Sequence, residues 1–327
     1  MMKRLVFALG FLAIQAITFS GFAADEVSVK DFTLPSASDA TLIHLSDFHG
    51  KVVLINYWRT VCAYSQDEAP KLVELYKKYH EQGLEILGVS ADHPNTIKNL
   101  GPYLKHYGIA WPIALNDEGE FMREVFKLPR PYTPSNYLVT RSGKMISLGR
   151  DWDDSISKIE APIIKALAEP VLPGPTIAPR ATESAPRFEL RDLQGKTIRS
   201  VDLIGKPTIL AFFDNDSCDR SGKELSALND QYGPKGLQVI GIDSFDSPNT
   251  IKRCVDKYAM HFPLLRGTHE VQQAYFRGDR HWGIFFIDRR GDVMKEVVNW
   301  EDDDLEHWTW PKYVEYLLGE PEPEKKT

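Results

Sequence analysis

Cysteine is scarce in this sequence: its 327 residues contain three, Cys62, Cys218 and Cys254. An odd number cannot pair completely within one chain, and the spacing matches no disulfide framework of small secreted domains. We therefore expect packed hydrophobic cores to stabilise the protein, because 43% of its residues are hydrophobic. Each thiol then requires its own explanation, either burial or chemistry.

An excess of positive charge is also lacking, since the formal net charge is −7 at pH 7. Nucleic-acid-binding proteins use clustered Lys and Arg to neutralise phosphates, and this chain has no basic stripe. We therefore predict no nucleic-acid partner. The nine histidines are scattered without the spacing of metal ligands, and we predict no metal and no cofactor.

Long hydrophobic runs are missing except at the N-terminus. Residues 1–4 are MMKR, residues 5–19 are nearly all apolar, and residues 20–23 are SGFA. This order predicts a secretory signal peptide over residues 1–23, cleaved after Ala23. The apolar run is shorter than the ~20 residues that span a bilayer, so an uncleaved anchor is disfavoured. We expect a periplasmic or otherwise secreted protein with no stable membrane span after cleavage.

The middle of the sequence is repeated. DHPNTIK at residues 92–98 returns as DSPNTIK at residues 246–252, and the proline predicts a helix that opens at this point. Around it both copies show an apolar strand, a cysteine, an amphipathic helix, a second strand, this helix and a hairpin. The strands are predicted at residues 52–57 and 84–89 in the first copy and at 208–213 and 237–242 in the second.

This element order predicts α/β domains, each with a central mixed β-sheet flanked by helices. A repeat of this length indicates duplicated domains rather than a solenoid. We place the first domain at residues 27–168, a proline-rich linker at 169–186, the second domain at 187–319 and a flexible tail at 320–327. The linker composition predicts a semi-extended spacer that either separates the domains or lets them face one another.

The most specific motif surrounds Cys62. Residues 56–70, NYWRTVCAYSQDEAP, resemble the active-site segment N-F-W-A-T-W-C-P-P-C-R-x-E-x-P of the TlpA/ResA branch of the thioredoxin superfamily. The matching residues are Asn56, Trp58, Thr60, Cys62, Glu68 and Pro70. Pro134 stands where that family carries its cis-proline. The resemblance implies thioredoxin-like domains and exported thiol–disulfide chemistry with protein or small-molecule thiols and disulfides.

A cysteine at the start of a helix is a good nucleophile, because unpaired N–H groups and the helix dipole stabilise its thiolate. It is for the same reason a good leaving group in disulfide exchange. The resemblance implies that Thr133 and Pro134 lie beside Cys62 and present backbone to an incoming peptide. It also implies that Trp58 and Glu68 shape the site.

The second cysteine of the family's C-x-x-C motif is Ser65 in this chain. Serine donates a hydrogen bond but forms no disulfide, so a mixed disulfide on Cys62 cannot be resolved within the motif. We therefore predict a monothiol site that an external thiol releases. Cys218 is the other candidate for releasing the mixed disulfide. If it does so, a Cys62–Cys218 disulfide is expected under mild oxidation.

The second copy, FDNDSCDRSGKE at residues 213–224, keeps C-x-x-S with Cys218 and Ser221. Asp214 replaces the tryptophan, and Trp282 stands where the first copy has Pro134. Neighbouring aspartates oppose thiolate formation, so we expect Cys218 to be less reactive than Cys62. Its neighbour His281 would allow a copper(I) site, but a single local cysteine disfavours one.

The remaining features admit simple interpretations. Cys254 shares a helical face with Ile251, Val255 and Tyr258, which predicts a core residue. The acidic, tryptophan-rich residues 300–310 are interpreted as a loop and the start of the closing helix, or as a partner-binding surface. A peroxidase motif does not fit, because Arg59 occupies the position of its threonine or serine.

Two functions follow from the sequence. The first is thiol–disulfide exchange outside the cytoplasm through Cys62, which would make the protein a thiol–disulfide oxidoreductase of the monothiol type. The second is a binding or scaffold protein built on thioredoxin folds that have lost redox activity, since both copies lack the resolving cysteine. The rate at which Cys62 is alkylated discriminates between them.

Overall fold

The computed structural model describes residues 27–39, 41–116, 132–148, 156–174, 176–177, 183–276, 282–298 and 309–319. The predicted signal peptide, the predicted tail, His281 and residues 300–308 lie outside these ranges. Within them, no helix combines the length and apolar character that a membrane crossing requires.

The first copy folds around a six-stranded sheet with the order β1-β8-β7-β4-β5-β6. Its strands are β1 (Val27–Ser28), β4 (Val52–Trp58), β5 (Leu84–Ser90), β6 (Ile113–Leu115), β7 (Ser135–Val139) and β8 (Lys144–Ser147). A separate hairpin is formed by β2 (Thr33–Pro35) and β3 (Leu42–His44). The helices are α1 (Ala63–Tyr79), α2 (Leu100–Tyr107) and α3 (Ile156–Leu167).

Strand β4 is the centre of this sheet and carries the site. All seven of its residues are buried, and it pairs in parallel with β5 and antiparallel with β7. A strand buried on both faces has a continuous apolar sequence, which is why VVLINY at residues 52–57 predicts a strand; the structure extends it by Trp58. Leu54 and Trp58 belong to the same hydrophobic cluster as α1, whereas Val53 and Ile55 belong to the cluster of the opposite face.

The second copy folds around an eight-stranded sheet with the order β11-β10-β14-β13-β12-β15-β16-β9. Its strands are β9 (Glu183–Ser184), β10 (Glu189–Asp192), β11 (Thr197–Arg199), β12 (Thr208–Phe212), β13 (Gln238–Asp243), β14 (Leu264–Arg266), β15 (Gly283–Ile287) and β16 (Asp292–Val298). Its helices are α4 (Asn215–Tyr232), α5 (Pro248–Tyr258), α6 (His269–Tyr275) and α7 (Trp310–Gly319). Parallel and antiparallel pairs occur in both sheets, so the predicted α/β domains with mixed sheets are confirmed.

The shared PNTIK segment opens an α-helix at its proline in only one of the two copies. In the second copy, the Thr250 N–H donates to the Ser247 hydroxyl at 3.2 Å, and α5 begins with Pro248 at its first turn. The first copy has His93 in the place of Ser247, and the Thr96 and Ile97 N–H groups close a turn on the His93 carbonyl. In the first copy the helix therefore does not open at the proline itself: a 3-10 turn over Ile97–Asn99, at the end of the shared segment, leads directly into α2 at Leu100.

Residues 169–177, where the structure describes them, lie against the first domain, whereas Glu183–Ser184 of the predicted linker pair as β9 in the second sheet. Arg141 donates to the carbonyls of Leu167 and Glu169 at 2.8 and 2.6 Å, and Ile177 packs on the hydrophobic cluster behind β4. Gly143 has a positive φ of 76°, and a Cβ there would lie 2.7 Å from the Thr176 carbonyl oxygen. These residues of the predicted semi-extended spacer are thus attached to the first domain.

The tryptophan-rich segment reaches the described residues at α7. Trp310 is fully buried and packs edge-on against Phe286 of the second sheet. The closing helix is confirmed at this point, and Trp310 is a core residue rather than an anchor for a partner.

Candidate active site around Cys62

Cys62 lies at the end of the turn that connects β4 to α1. It is the N-cap residue of α1, and its N–H donates to the Arg59 carbonyl at 3.3 Å, which closes a turn after the strand. The buried carboxylate of Asp92 holds this turn by accepting hydrogen bonds from the Thr60 N–H and hydroxyl. The sulfur is therefore placed at the helix N-terminus, where a thiolate is favoured.

The Cys62 sulfur faces the loop that precedes β7. Its Sγ lies 3.3 Å from the Thr133 carbonyl oxygen, and the Thr133–Pro134 peptide is cis. Both residues that the resemblance placed beside the thiol are thus brought to it. The side chain is half-buried, which leaves the sulfur open to a reacting partner.

Several contacts favour the thiolate. Burial of the sulfur raises the pKa of Cys62, but hydrogen bonds from the backbone and the hydroxyl of Ser65 lower it. Contacts with Thr133 and with the backbone of Tyr64 act in the same direction, so the pKa of the Cys62 thiol lies below its usual value.

Ser65 is built into the site and is not an incidental replacement. It is 3% exposed, its hydroxyl accepts a hydrogen bond from the Arg59 N–H at 3.4 Å, and its carbonyl accepts one from the Tyr103 hydroxyl at 2.9 Å. Tyr103 in turn stacks on Trp58 with ring centroids 4.6 Å apart. Trp58 therefore shapes the site through Tyr103, a residue that the sequence analysis did not identify.

Glu68 is a buried carboxylate one turn further along α1. It accepts hydrogen bonds from Asn56 Nδ2 at 2.9 Å and from Asn136 Nδ2 at 2.6 Å, and the two amides are bonded to each other. Burial raises the pKa of Glu68, and the two amide donors oppose this effect. Asn136 was not predicted, and the only signal for it is its position two residues after Pro134.

Three exposed hydrophobic side chains neighbour the site in the chain. Val61, Tyr64 and Tyr132 rank among the most exposed large hydrophobic side chains of the described residues, at 56%, 54% and 46%. Val61 and Tyr64 flank Cys62 in the chain, and Tyr132 precedes Thr133. Exposed aromatic and aliphatic groups of this kind accommodate an apolar partner next to the reacting atom.

The equivalent position of the second copy has no free thiol. Cys218 forms a disulfide with Cys254, and the two residues are 2% and 7% exposed. The predictions of a free Cys218 thiol and of a Cys62–Cys218 bridge are therefore wrong for this structure. The buried position of Cys254 is confirmed, but its role as an unpaired core residue is not.

The helix register explains the difference. Relative to the cysteine, α4 begins four residues earlier than α1, so Cys218 lies inside the first turn and its N–H donates to the Asp214 carbonyl at 2.9 Å. Its side chain belongs to the helix–helix interface with α5, where Cys254 occupies the place of Leu100 in the first copy. Ser221 is buried in the same region at 2% exposure. Trp282 packs on the hydrophobic cluster that includes both cysteines.

Among the residues described, no three His, Cys, Asp or Glu side chains converge as metal ligands do. Cys62 is the free cysteine of the chain. The chemistry that this arrangement supports is nucleophilic attack by a single thiolate.

Comparison with known proteins agrees with the geometry. The sequence pattern of the AhpC/TSA family matches residues 26–147 and again residues 181–296. Thiol-disulfide oxidoreductase ResA of Bacillus thuringiensis subsp. konkukian (strain 97-27) is 36% identical over 105 residues, which are 32% of this chain and 57% of that protein. The chain thus spans little more than half the length of this relative. ResA of Bacillus thuringiensis (strain Al Hakam) is 29% identical over 141 residues, which are 41% of this chain and 78% of that protein.

Solved structures are also similar. A thiol:disulfide interchange protein of the thioredoxin family from Chlorobium tepidum TLS is 20% identical, with a TM-score of 0.38. The match covers 43% of this chain and 100% of that one. The resemblance to ResA-type proteins stated from the motif around Cys62 is confirmed by the family match and the two ResA relatives.

Proposed function

This chain belongs to the AhpC/TSA family, and we propose that it is an exported thiol–disulfide exchange protein acting through Cys62 alone. It is built from two thioredoxin-like domains, and its relatives include thiol-disulfide oxidoreductases. The observation that carries the proposal is the position of the Cys62 sulfur at the N-terminus of α1, 3.3 Å from the Thr133 carbonyl oxygen.

The proposed reaction is a disulfide exchange. The Cys62 thiolate attacks one sulfur of a partner disulfide, the partner's S–S bond breaks, and a new Cys62–partner disulfide forms while the second partner sulfur leaves as a thiolate. Atoms and electrons balance without a cofactor. Ser65 stabilises the attacking thiolate by hydrogen bonding, but the release of the bound partner requires a thiol from another molecule.

The thiol pKa of Cys62 tests the proposal directly. Because Cys218 and Cys254 are paired, alkylation of the native protein reports on Cys62 without further substitutions. We expect the rate to rise with pH through a midpoint below the ordinary ~8.5 of a free thiol. The rate is lost below this midpoint, where the thiol is protonated.

The matched control is Ser65→Ala, which removes one of the hydrogen bonds that lower the pKa. Its midpoint is expected to lie above that of the natural protein. A natural midpoint at or above 8.5 would show that Cys62 is not activated and would favour the second function.

That second function is a binding or scaffold protein. It is favoured by one observation, the closure of the second copy's cysteine into a buried disulfide, which leaves that domain without an exchangeable thiol. A protein that retains its partners when Cys62 is replaced by serine would support it.

Export is part of the proposal. It is supported by the basic and apolar N-terminus and by a disulfide, which persists in oxidising compartments. We expect the mature protein to begin at Ala24, as measured by N-terminal sequencing of protein recovered from outside the cytoplasm. A protein that retains Met1 there would contradict cleavage. The domain limits at 27–168 and 187–319 are likewise proposed, with β9 (Glu183–Ser184) added to the second domain because it pairs with β16.

A further inference from the structure

A positively charged residue belongs to the turn that ends at the proposed nucleophile, at a position where the ResA-type pattern has alanine. Arg59 directly follows β4 and forms the first residue of the turn that ends at Cys62. The arginine of that pattern is Gln66 here, and its amide donates to the Thr60 carbonyl at 2.8 Å. In this sequence the positively charged residue of the motif therefore lies in the turn before the cysteine, whereas the ResA-type pattern has it in the helix after the motif.

The guanidinium group of Arg59 is fixed in place. Its Nε donates to the Ala91 carbonyl at 2.6 Å, and its Nη2 lies 2.6 Å from His93 Nε2. Burial, with the adjacent Arg59 charge, lowers the pKa of His93 against the opposing effect of Asp92, so the imidazole is neutral and accepts the hydrogen bond. A long side chain held at two points loses little further entropy when it binds a ligand.

Among the described residues, no ion pair neutralises the charge of Arg59. The nearby carboxylate of Asp92 is fully buried and already accepts hydrogen bonds from Thr60 and Ser90. No acidic side chain of the described ranges forms an ion pair with Arg59. A guanidinium carries five N–H donors, and the two contacts above use two of them.

We infer that Arg59 makes Cys62 selective for thiols and disulfides that carry a carboxylate close to the sulfur. This inference rests on the proposed function and names the substrate class of that site. The partner's apolar part would lie on Val61, Tyr64 and Tyr132, and its carboxylate would accept from the half-buried guanidinium. Arginine is suited to this role because its planar donors match a carboxylate.

Three small disulfides of similar size test the inference: dithiodipropionic acid, hydroxyethyl disulfide and cystamine, which carry carboxylates, hydroxyls and ammonium groups. The measurement is the second-order rate of mixed-disulfide formation on the full chain, followed by mass spectrometry at one pH. Because the leaving thiols differ in pKa and so in intrinsic rate, the ratio of acid to amine rates is compared between the natural protein and its variants. Arg59→Gln should reduce the ratio of acid to amine rates by about three- to tenfold.

The use of a ratio cancels any change in the reactivity of the thiol itself. Lys77→Gln is the matched control, because it removes the same charge about 22 Å along α1 from Cys62. An unchanged ratio in Arg59→Gln, or an equal change in Lys77→Gln, would overturn the inference and leave the exchange function intact. Failure of Cys62 to react with all three disulfides would instead reject the proposed function.

Discussion

Replacing Ser65 by cysteine is expected to double the amount of thiolate released from an aromatic disulfide. The natural protein should release one equivalent of nitrothiobenzoate from dithiobis(nitrobenzoate) and keep the other on Cys62. In Ser65→Cys, the introduced thiol lies one helical turn from Cys62, beside the sulfur that now contacts the Ser65 hydroxyl. It should attack the mixed disulfide, release the second equivalent and leave a disulfide within the motif.

The rate at which the second equivalent is released shows whether the introduced thiol attacks within the molecule. The attack becomes unimolecular, and a well-oriented intramolecular group acts with an effective concentration far above that of any added thiol. We expect the second equivalent to leave at least roughly a hundredfold faster than with 1 mM external thiol on the natural protein. Absorbance of the released thiolate measures both steps.

Two variants bracket this result. Ser65→Ala should release one equivalent, as the natural protein does, and Cys62→Ser should release none. If Ser65→Cys also stops at one equivalent, the two positions are not within reach of each other and the geometry described around Cys62 is incorrect.

Removal of the Cys218–Cys254 disulfide should destabilise the second domain strongly and leave the first unchanged. The bond joins residues 36 apart in the sequence and links α4 to α5. In the chain-entropy description, a cross-link of this length stabilises by roughly 3–4 kcal/mol. Hydrogen exchange in urea, followed by mass spectrometry, assigns the loss of protection to residues 187–319.

The appropriate variant separates the cross-link from packing. Cys218→Ala with Cys254→Leu places in α5 the residue type found at Leu100 of the first copy, so the interface stays filled while the bond is lost. If this double variant is as stable as the natural protein, the disulfide contributes packing alone. Alkylation of Cys62 should be the same in both proteins, because the bond lies in the other domain.

Residues with one dominant constraint were predicted from the sequence. Strand β4 is apolar throughout because both of its faces are covered, and the motif around Cys62 carries its helix start within a few residues. The start of the helix after DHPN was harder to predict: His93 stands where Ser247 caps α5, and the first copy forms a 3-10 turn at Ile97–Asn99 before α2 begins at Leu100. The spacing of apolar residues predicts such a helix, but it does not show whether the first N–H groups of the helix have a hydrogen-bond acceptor.

The disulfide and the carboxamide network were not predictable from spacing. Cys218 and Cys254 meet because α4 begins one turn early, which rotates a position that faces the substrate loop in the first copy toward the neighbouring helix. Glu68 was recognised from the motif, yet its partner Asn136 lies on a strand 68 residues away. Contacts of this kind depend on the register between elements, and a single sequence does not contain that information.

The attachment of the linker to the first domain, which extends to Ile177, limits how far apart the two domains can be. Ile177 is packed on the first domain, and Glu183 is already paired in the sheet of the second. The residues between them can span at most about 20 Å when fully extended. When a partner has bound one domain, the other domain is therefore present at an effective concentration on the order of millimolar, whatever the concentration of the protein in solution.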